Sequence, residues 1–265
     1  LKVRFTDILN DKTSGASTLY RQSLSLLVET SEKYRSRSAV DDIVRRLQVA
    51  FPEMAVFVYL KNHLERTNFE DIPATLHQLQ GEAETAVSSI GRRIDRLWRK
   101  PRRIVTYSQS SVVAEILMQR RKKITSVLIS CASPKNEGIV VARKLAAAGI
   151  PVALVTDAAL PAMIEKDDYI FLGADAVTER YFVNKCGTWS LLLAAKEKKA
   201  VSFVFFESFK RVSCRSFSFD PRRHVQEEIL TGRYPRITVH NFYFEKIPLN
   251  CANWLISDKK AIHIL

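Results

Sequence analysis

From residue 102 to residue 210 the chain alternates short β-prone apolar runs with helix-like segments of about ten residues, and few folds accept that pattern. The runs are Ile104–Tyr107, Ser126–Ser130, Ile150–Val155, Tyr169–Leu172 and Val201–Phe206. Between them lie Val112–Gln119, then Ile139–Ala148 with Gly149 as a C-terminal stop, and a segment opened by Gly187-Thr188. That last segment ends in Lys196, Lys198 and Lys199, cations that suit the negative end of a helix dipole. A further short helix is expected over Asp157–Glu165, with Pro161 in its first turn. Strands joined by helices make βαβ units and so a parallel sheet covered on both faces, whose strands are apolar throughout. The expected class is α/β: a helical N-terminal region (residues 1–101), then a Rossmann-like domain with a mainly parallel sheet (residues 102–265).

The first hundred residues read as helices. Ser17, as an N-cap, precedes Leu19, Leu24, Leu26, Leu27 and Val28. Asp41–Val49 repeats the pattern, and Pro52 separates it from a helix over Met54–Leu64. Pro73 opens another, with Leu76, Leu79, Ala83, Ala86, Val87 and Ile90 spaced to form one buried face. His63 and His77 have no companion at metal-ligand spacing, and no metal is expected anywhere.

Charge and cysteine content narrow the function classes. Forty-one basic against twenty-eight acidic residues leave a net charge of +13, which favours anionic partners. Much of the excess falls in two blocks, Arg92 to Arg103 and Arg120 to Lys123. Solvated faces and nucleic-acid contacts both account for them, though no nucleic-acid motif accompanies the charge. Cys131, Cys186, Cys214 and Cys251 are widely spaced, as free thiols of a reducing compartment are. No apolar run reaches membrane-spanning length and no signal-peptide pattern opens the chain, so a cytoplasmic protein without membrane contact is expected.

Only eight glycines occur, and neither GxGxxG nor GxxxxGK[ST] is present. No dinucleotide cofactor is expected, and phosphate would be held by helix N-termini directly. Three such ends are candidates: Ser108, Ser110 and Ser111 after the first strand, Lys135–Gly138 after the second, and Asn184, Lys185 and Thr188 after the fourth. Adjacent parallel strands would set all three on one rim. Asp175 lies just past the fourth strand, where open α/β sheets gather ligand groups. Plain N-capping competes for the serines, a turn or cap role for Asp175, and a cap role for Asp157.

These residues resemble the regulatory subunits of translation initiation factor 2B and their relatives, methylthioribose-1-phosphate isomerase and ribose-1,5-bisphosphate isomerase. The likeness is carried by Pro134-Lys-Asn-Glu-Gly138, Gly149-Ile-Pro-Val-Ala-Leu-Val-Thr-Asp157, Gly173-Ala-Asp-Ala-Val177 and Asn184-Lys-Cys-Gly-Thr188. It continues through Glu207-Ser-Phe-Lys210 and Asn241-Phe-Tyr-Phe-Glu-Lys-Ile-Pro248, and more weakly in Gly15-Ala16 and Pro52-Glu-Met-Ala55.

In the isomerases the rim carries a cysteine after strand one, an aspartate and an Asn-Lys pair. The resemblance maps these onto Ser108, Asp175, and Asn184 with Lys185. A serine hydroxyl does not replace a thiol that titrates near about 8.5. The phosphate-clamping arginine of the isomerases falls on Ser133, a loss of about 1.5–3 kcal/mol of charged hydrogen bonding. The Asp175–Asn184 interval is also one residue shorter than theirs, and Cys131 offers a thiol only from another direction. Glu207-Ser-Phe-Lys210 looks more like the initiation-factor branch.

The resemblance therefore implies an initiation-factor-2B-like protein whose rim binds a phosphorylated sugar or nucleotide in a regulatory or assembly role. It also implies a homo-oligomer, dimer or higher. The alternative is an aldose–ketose isomerase of a sugar 1-phosphate with Asp175 as acid–base group. A third reading is RNA or translation-factor binding through the basic block.

Overall fold

The computed structural model of the chain describes residues 4–11 and 14–264. Five helices come first: α1 (Phe5–Asn10), α2 (Ala16–Tyr34), α3 (Arg37–Ala50), α4 (Ala55–Glu65) and α5 (Ile72–Leu97). Helix α5 begins with Pro73 in its first turn, as its fixed φ allows. Its first half buries Leu76, Leu79 and Ala83 against Leu19, Leu24 and Phe57. Its second half buries Val87, Ile90 and Ile94 against the sheet that follows, so one continuous helix serves two cores. Phe209 returns from beyond the sheet to enter the helical core, stacked on Tyr20 with ring centroids 4.3 Å apart.

Two helix starts differ from expectation. Ser17 does not cap α2. Gly15 is the N-cap, and Ser17 lies buried in the first turn, directed to the Glu207 carboxyl. Helix α3 starts earlier than Asp41, because the Ser36 hydroxyl accepts the Ala39 N–H at 3.3 Å and caps it.

The sheet is built from β1 (Arg102–Thr106), α6 (Ser111–Gln119), β2 (Ile124–Ser130), α7 (Glu137–Ala147), β3 (Val152–Val155) and β4 (Tyr169–Gly173). After them come β5 (Ala176–Val177), β6 (Tyr181–Lys185), α8 (Thr188–Glu197), β7 (Val201–Phe206), β8 (Phe244–Pro248), β9 (Trp254–Ser257) and β10 (Ala261–His263). Seven strands form the main sheet in the order β10-β9-β7-β4-β1-β2-β3, all parallel except β10, which runs antiparallel to β9. This is the expected α/β class.

The alternation of side chains sorts the two faces. Ile104, Val127, Ile129, Phe171, Phe203 and Phe205 pack with Trp98 under α5, α6 and α7. Val105, Leu128, Ile170, Leu172, Val204 and Phe206 pack with Leu191 and Leu192 of α8. Each fully buried phenylalanine or leucine contributes about 1.5–3 kcal/mol, so both faces are strongly anchored.

Two differences bear on the site. The helix expected over Asp157–Glu165 is a set of turns with one 3-10 turn at Pro161–Met163. Its would-be cap Asp157 instead accepts the backbone N–H groups of Ala132 and Ser133, at 2.8 and 2.7 Å. Between β4 and α8 the chain makes an antiparallel hairpin, β5–β6, which joins β8 in a separate three-stranded sheet. Asn184 and Lys185 therefore sit on a strand of that second sheet.

Candidate functional site

Strands β1, β2 and β3 step to one side of the main sheet and β4, β7 and β9 to the other, so the order reverses between β1 and β4. A crevice at the carboxyl ends of the strands on either side of such a reversal is the usual ligand position in an open α/β sheet. The loop after β1 carries Ser108, and the turn after β4 carries Asp175. Next to β1, the loop after β2 leads to Glu137, the first residue of α7. Gly138 makes this approach possible, since a Cβ there would stand 1.9 Å from the Ser130 carbonyl oxygen. Ser108 (φ 62°) and Ala132 (φ 63°) hold left-handed backbone at these strand ends, a conformation that costs on the order of 1–3 kcal/mol per non-glycine residue.

Glu137 ties the rim together. Its Oε1 accepts a hydrogen bond from Ser108 Oγ at 3.0 Å and lies 2.8 Å from Lys185 Nζ. Its Oε2 is buried without a partner among the described residues. Lys185 is 3 % exposed, and its ammonium stands 4.9 Å from the centre of the Tyr243 ring. Lys135 Nζ lies 5.4 Å from the same ring and 3.2 Å from Glu228 Oε1. Glu228 also accepts hydrogen bonds from the Tyr243 hydroxyl and, at 2.8 Å, from Asn241 Nδ2.

Asp175 keeps partial exposure, yet loss of hydration pushes its carboxyl above the usual aspartate range. Glu207 adds to that rise, while Lys210 and Lys185 oppose it. Glu207 itself is fully buried. Burial pushes it up, but Lys210 at 3.1 Å and Ser17 outweigh this and hold it low. Glu53, from the turn before α4, is raised by burial and further by Asp175, against the opposing Arg222 N–H at 2.9 Å. His224 stacks flat on Tyr243, ring centroids 3.5 Å apart, with Nε2 3.8 Å from Glu53 Oε2. Burial lowers the His224 pKa, helped by Arg222, Lys135 and Lys185 and opposed by Glu228.

The remaining candidate residues are placed differently. Asn184 and Lys185 are successive strand residues and diverge: Asn184 Nδ2 donates to Thr188 Oγ1 at 2.9 Å, away from Glu137. Thr188 is fully buried and donates to the Lys185 carbonyl at 2.7 Å. The N-terminus of α8 is already met by Glu245, whose Oε1 accepts the N–H groups of Gly187 and Trp189 at 2.9 and 2.8 Å. Ser110 caps α6, accepting the Val113 N–H at 3.4 Å, and packs against Gly173. Ser111 is exposed on the first turn of α6. Cys131 points its thiol at the Val155 carbonyl, 3.3 Å away.

The structure thus brings Ser108, Asp175 and Lys185 to one rim and adds Glu53, Glu137, His224, Glu228 and Tyr243. Reasoning from the sequence included Glu137 only within the Lys135–Gly138 helix start, without singling it out, and passed over the other four as site residues. Three of the five stand in segments that carry the family likeness: Glu53 in Pro52-Glu-Met-Ala55, Glu137 in Pro134-Lys-Asn-Glu-Gly138, and Tyr243 in Asn241-Phe-Tyr-Phe. Nothing in the sequence marks His224 or Glu228. Among the described residues no cluster of His, Cys, Asp and Glu could hold a metal ion.

Chemically, this rim can bind an anion through Lys185 and Lys135 and can hold or release a proton at Asp175. Comparison with known proteins concerns the chain as a whole. A translation initiation factor eIF-2B subunit 2-like protein of Pyrococcus horikoshii is 30% identical over 267 residues, covering 95% of this chain and 92% of that protein. The ribose 1,5-bisphosphate isomerase of Methanocaldococcus jannaschii is 23% identical over 97% of this chain and 86% of its own length. Among solved structures, the translation initiation factor eIF-2B of P. horikoshii OT3 superposes with a TM-score of 0.83 at 21% identity, covering 98% of this chain and 95% of that one. With the family model matched from residue 15 to residue 262, the chain belongs to the initiation factor 2 subunit family.

Proposed function

We propose that the crevice between β1 and β4 binds a phosphorylated sugar or nucleotide as a ligand, and that the protein acts in a regulatory or assembly role. The observation that carries this reading is the buried Lys185 ammonium, met by a single carboxylate oxygen of Glu137 beside the Ser108 hydroxyl. A phosphate group can take the place of that carboxylate, with Lys135 as a second cation. Ser108 stands where the isomerase relatives carry a thiol, which favours binding over turnover. Assembly is supported by Trp189 and Leu193 of α8, 42% and 53% exposed, and by Met163, 43% exposed, on the 3-10 turn packed against that helix. Monomeric surfaces seldom gather large apolar side chains in this way.

A thermal-shift screen of sugar phosphates and nucleotides tests the ligand. A compound that binds only the folded state at 100 times its Kd adds about 2.7 kcal/mol and raises Tm. Steady aldose-to-ketose turnover by the purified protein would reject the ligand-only role. Leu193→Glu should reduce the oligomer to monomer in sedimentation.

The second reading, aldose–ketose isomerisation of a sugar 1-phosphate, is favoured by the raised pKa of Asp175, since an acid–base group works best when it titrates near the operating pH. In that case Asp175→Asn abolishes turnover while leaving phosphate binding by Lys185 intact.

A further inference from the structure

The basic block between Arg92 and Arg103 separates into two populations. Arg103 makes two 2.8 Å bonds to Asp168 and lies 3.1 Å from Glu165, and Arg102 pairs with Asp167. These hold the start of β1. By contrast Arg92, Arg96, Arg99 and Lys100 are exposed and have no carboxylate partner among the described residues. Arg92 and Arg96, four residues apart, share one face of α5, and Arg99, just past the end of the helix, folds back to donate to the Arg96 carbonyl at 3.4 Å.

Two other segments extend that face. The β9–β10 turn brings Lys259 and Lys260 beside it, since Arg93 Nη2 donates to the Lys259 carbonyl at 2.8 Å. Together with Leu97 and Ala261, Arg93, Arg96, Lys259 and Lys260 line a cleft of about 340 Å³. On the opposite flank, Arg120 and Lys123 are drawn to Asp95 at 2.9 and 3.0 Å, which neutralises that acid and fixes the turn between them. Arg121 and Lys122, in that turn, are exposed. The result is one surface with Arg92, Arg96, Arg99, Lys100, Arg121, Lys122 and Lys260 exposed, while the Lys259 ammonium beside them is held by Glu82 at 3.2 Å. It reaches the amino ends of β1 and β2, whereas the crevice lies at their carboxyl ends.

We infer that this surface binds the phosphodiester backbone of nucleic acid. An acidic protein fits it poorly: protein interfaces are built on aromatic and apolar anchors and are poor in lysine. None of the strongly exposed large apolar residues lies on α5, in the turn after α6 or on the β9–β10 turn. A phosphate backbone needs no such anchor, because counterion release alone drives its binding. Specificity for a base sequence is not expected, since among the described residues none of the strongly exposed aromatic side chains lies in the patch to stack a base.

Fluorescence anisotropy of a labelled 20-nucleotide single strand with the full chain tests this, in RNA and DNA arms and across a salt series. The expected log–log salt slope is steep, about −0.7 for each phosphate neutralised. R96E/R99E should weaken binding by about tenfold or more, and R121E/K122E should repeat the loss with unchanged Tm. R143E/K144E changes charge equally on exposed α7 and should leave affinity within about twofold. Equal affinity for RNA and DNA, or a preference for RNA through its 2′-hydroxyls, both support the assignment. A flat salt slope, no binding at low salt, equal loss in the α7 control, or equally tight binding of polyglutamate overturns it.

Discussion

Lys185 Nζ lies 2.8 Å from Glu137 Oε1, and this contact joins the second sheet to the first turn of α7 across the end of β1. Lys185 is buried while Glu137 is only partly so, and the ammonium cannot rehydrate if its carboxylate is removed. Glu137→Ala leaves the Lys185 ammonium without its carboxylate, and breaking one side of a buried pair costs about 3–5 kcal/mol. Inorganic phosphate in excess should restore part of that loss in the variant and little in the parent. Urea unfolding with and without phosphate measures both.

Asp175 gives a pH-dependent expectation. Its folded pKa lies above its unfolded value, so the stability tied to it is complete below the unfolded value and declines as pH rises through the folded one. Asp175→Asn removes the decline. The variant should melt higher than the parent near neutral pH, and the difference should close toward about pH 4, where the unfolded aspartate protonates. Thermal unfolding across that range checks the sign. A variant less stable than the parent at neutral pH would contradict it.

Cys186 follows Lys185, but burial, with Glu245 and Glu53 adding to it, pushes its thiol up to about 11 despite the neighbouring ammonium. The thiolate is the reactive form. Iodoacetamide at neutral pH should therefore leave Cys186 unmodified in the folded protein and label it after denaturation, as peptide mass spectrometry will read.

The two populations of arginine should separate in stability. Arg103→Ala strands the buried Asp168 carboxylate and should cost about 3 kcal/mol or more. Arg99→Ala, in the exposed segment just after α5, should stay within about 0.5 kcal/mol. Equal effects in urea unfolding would mean that the block is uniform.

The amino-acid sequence determined the class of fold, because apolar runs such as Tyr169–Leu172 and Val201–Phe206 have no other way to bury both faces than in a parallel sheet between helices. It also placed Ser108 and Asp175 beyond strand ends, since strand ends are local features. The pairing of charges was out of its reach. Lys185 meets Glu137 forty-eight positions earlier, and Tyr243 reaches the same lysine from beyond it in the chain, contacts that no spacing rule encodes. The hairpin β5–β6 was hidden as well, its two-residue first strand being too short to show a period. For the same reason Asn184 and Lys185 read as a pair in sequence and diverge in space: consecutive residues of a strand point to opposite faces, and only the strand's place between β5 and β8 decided which of them meets the rim.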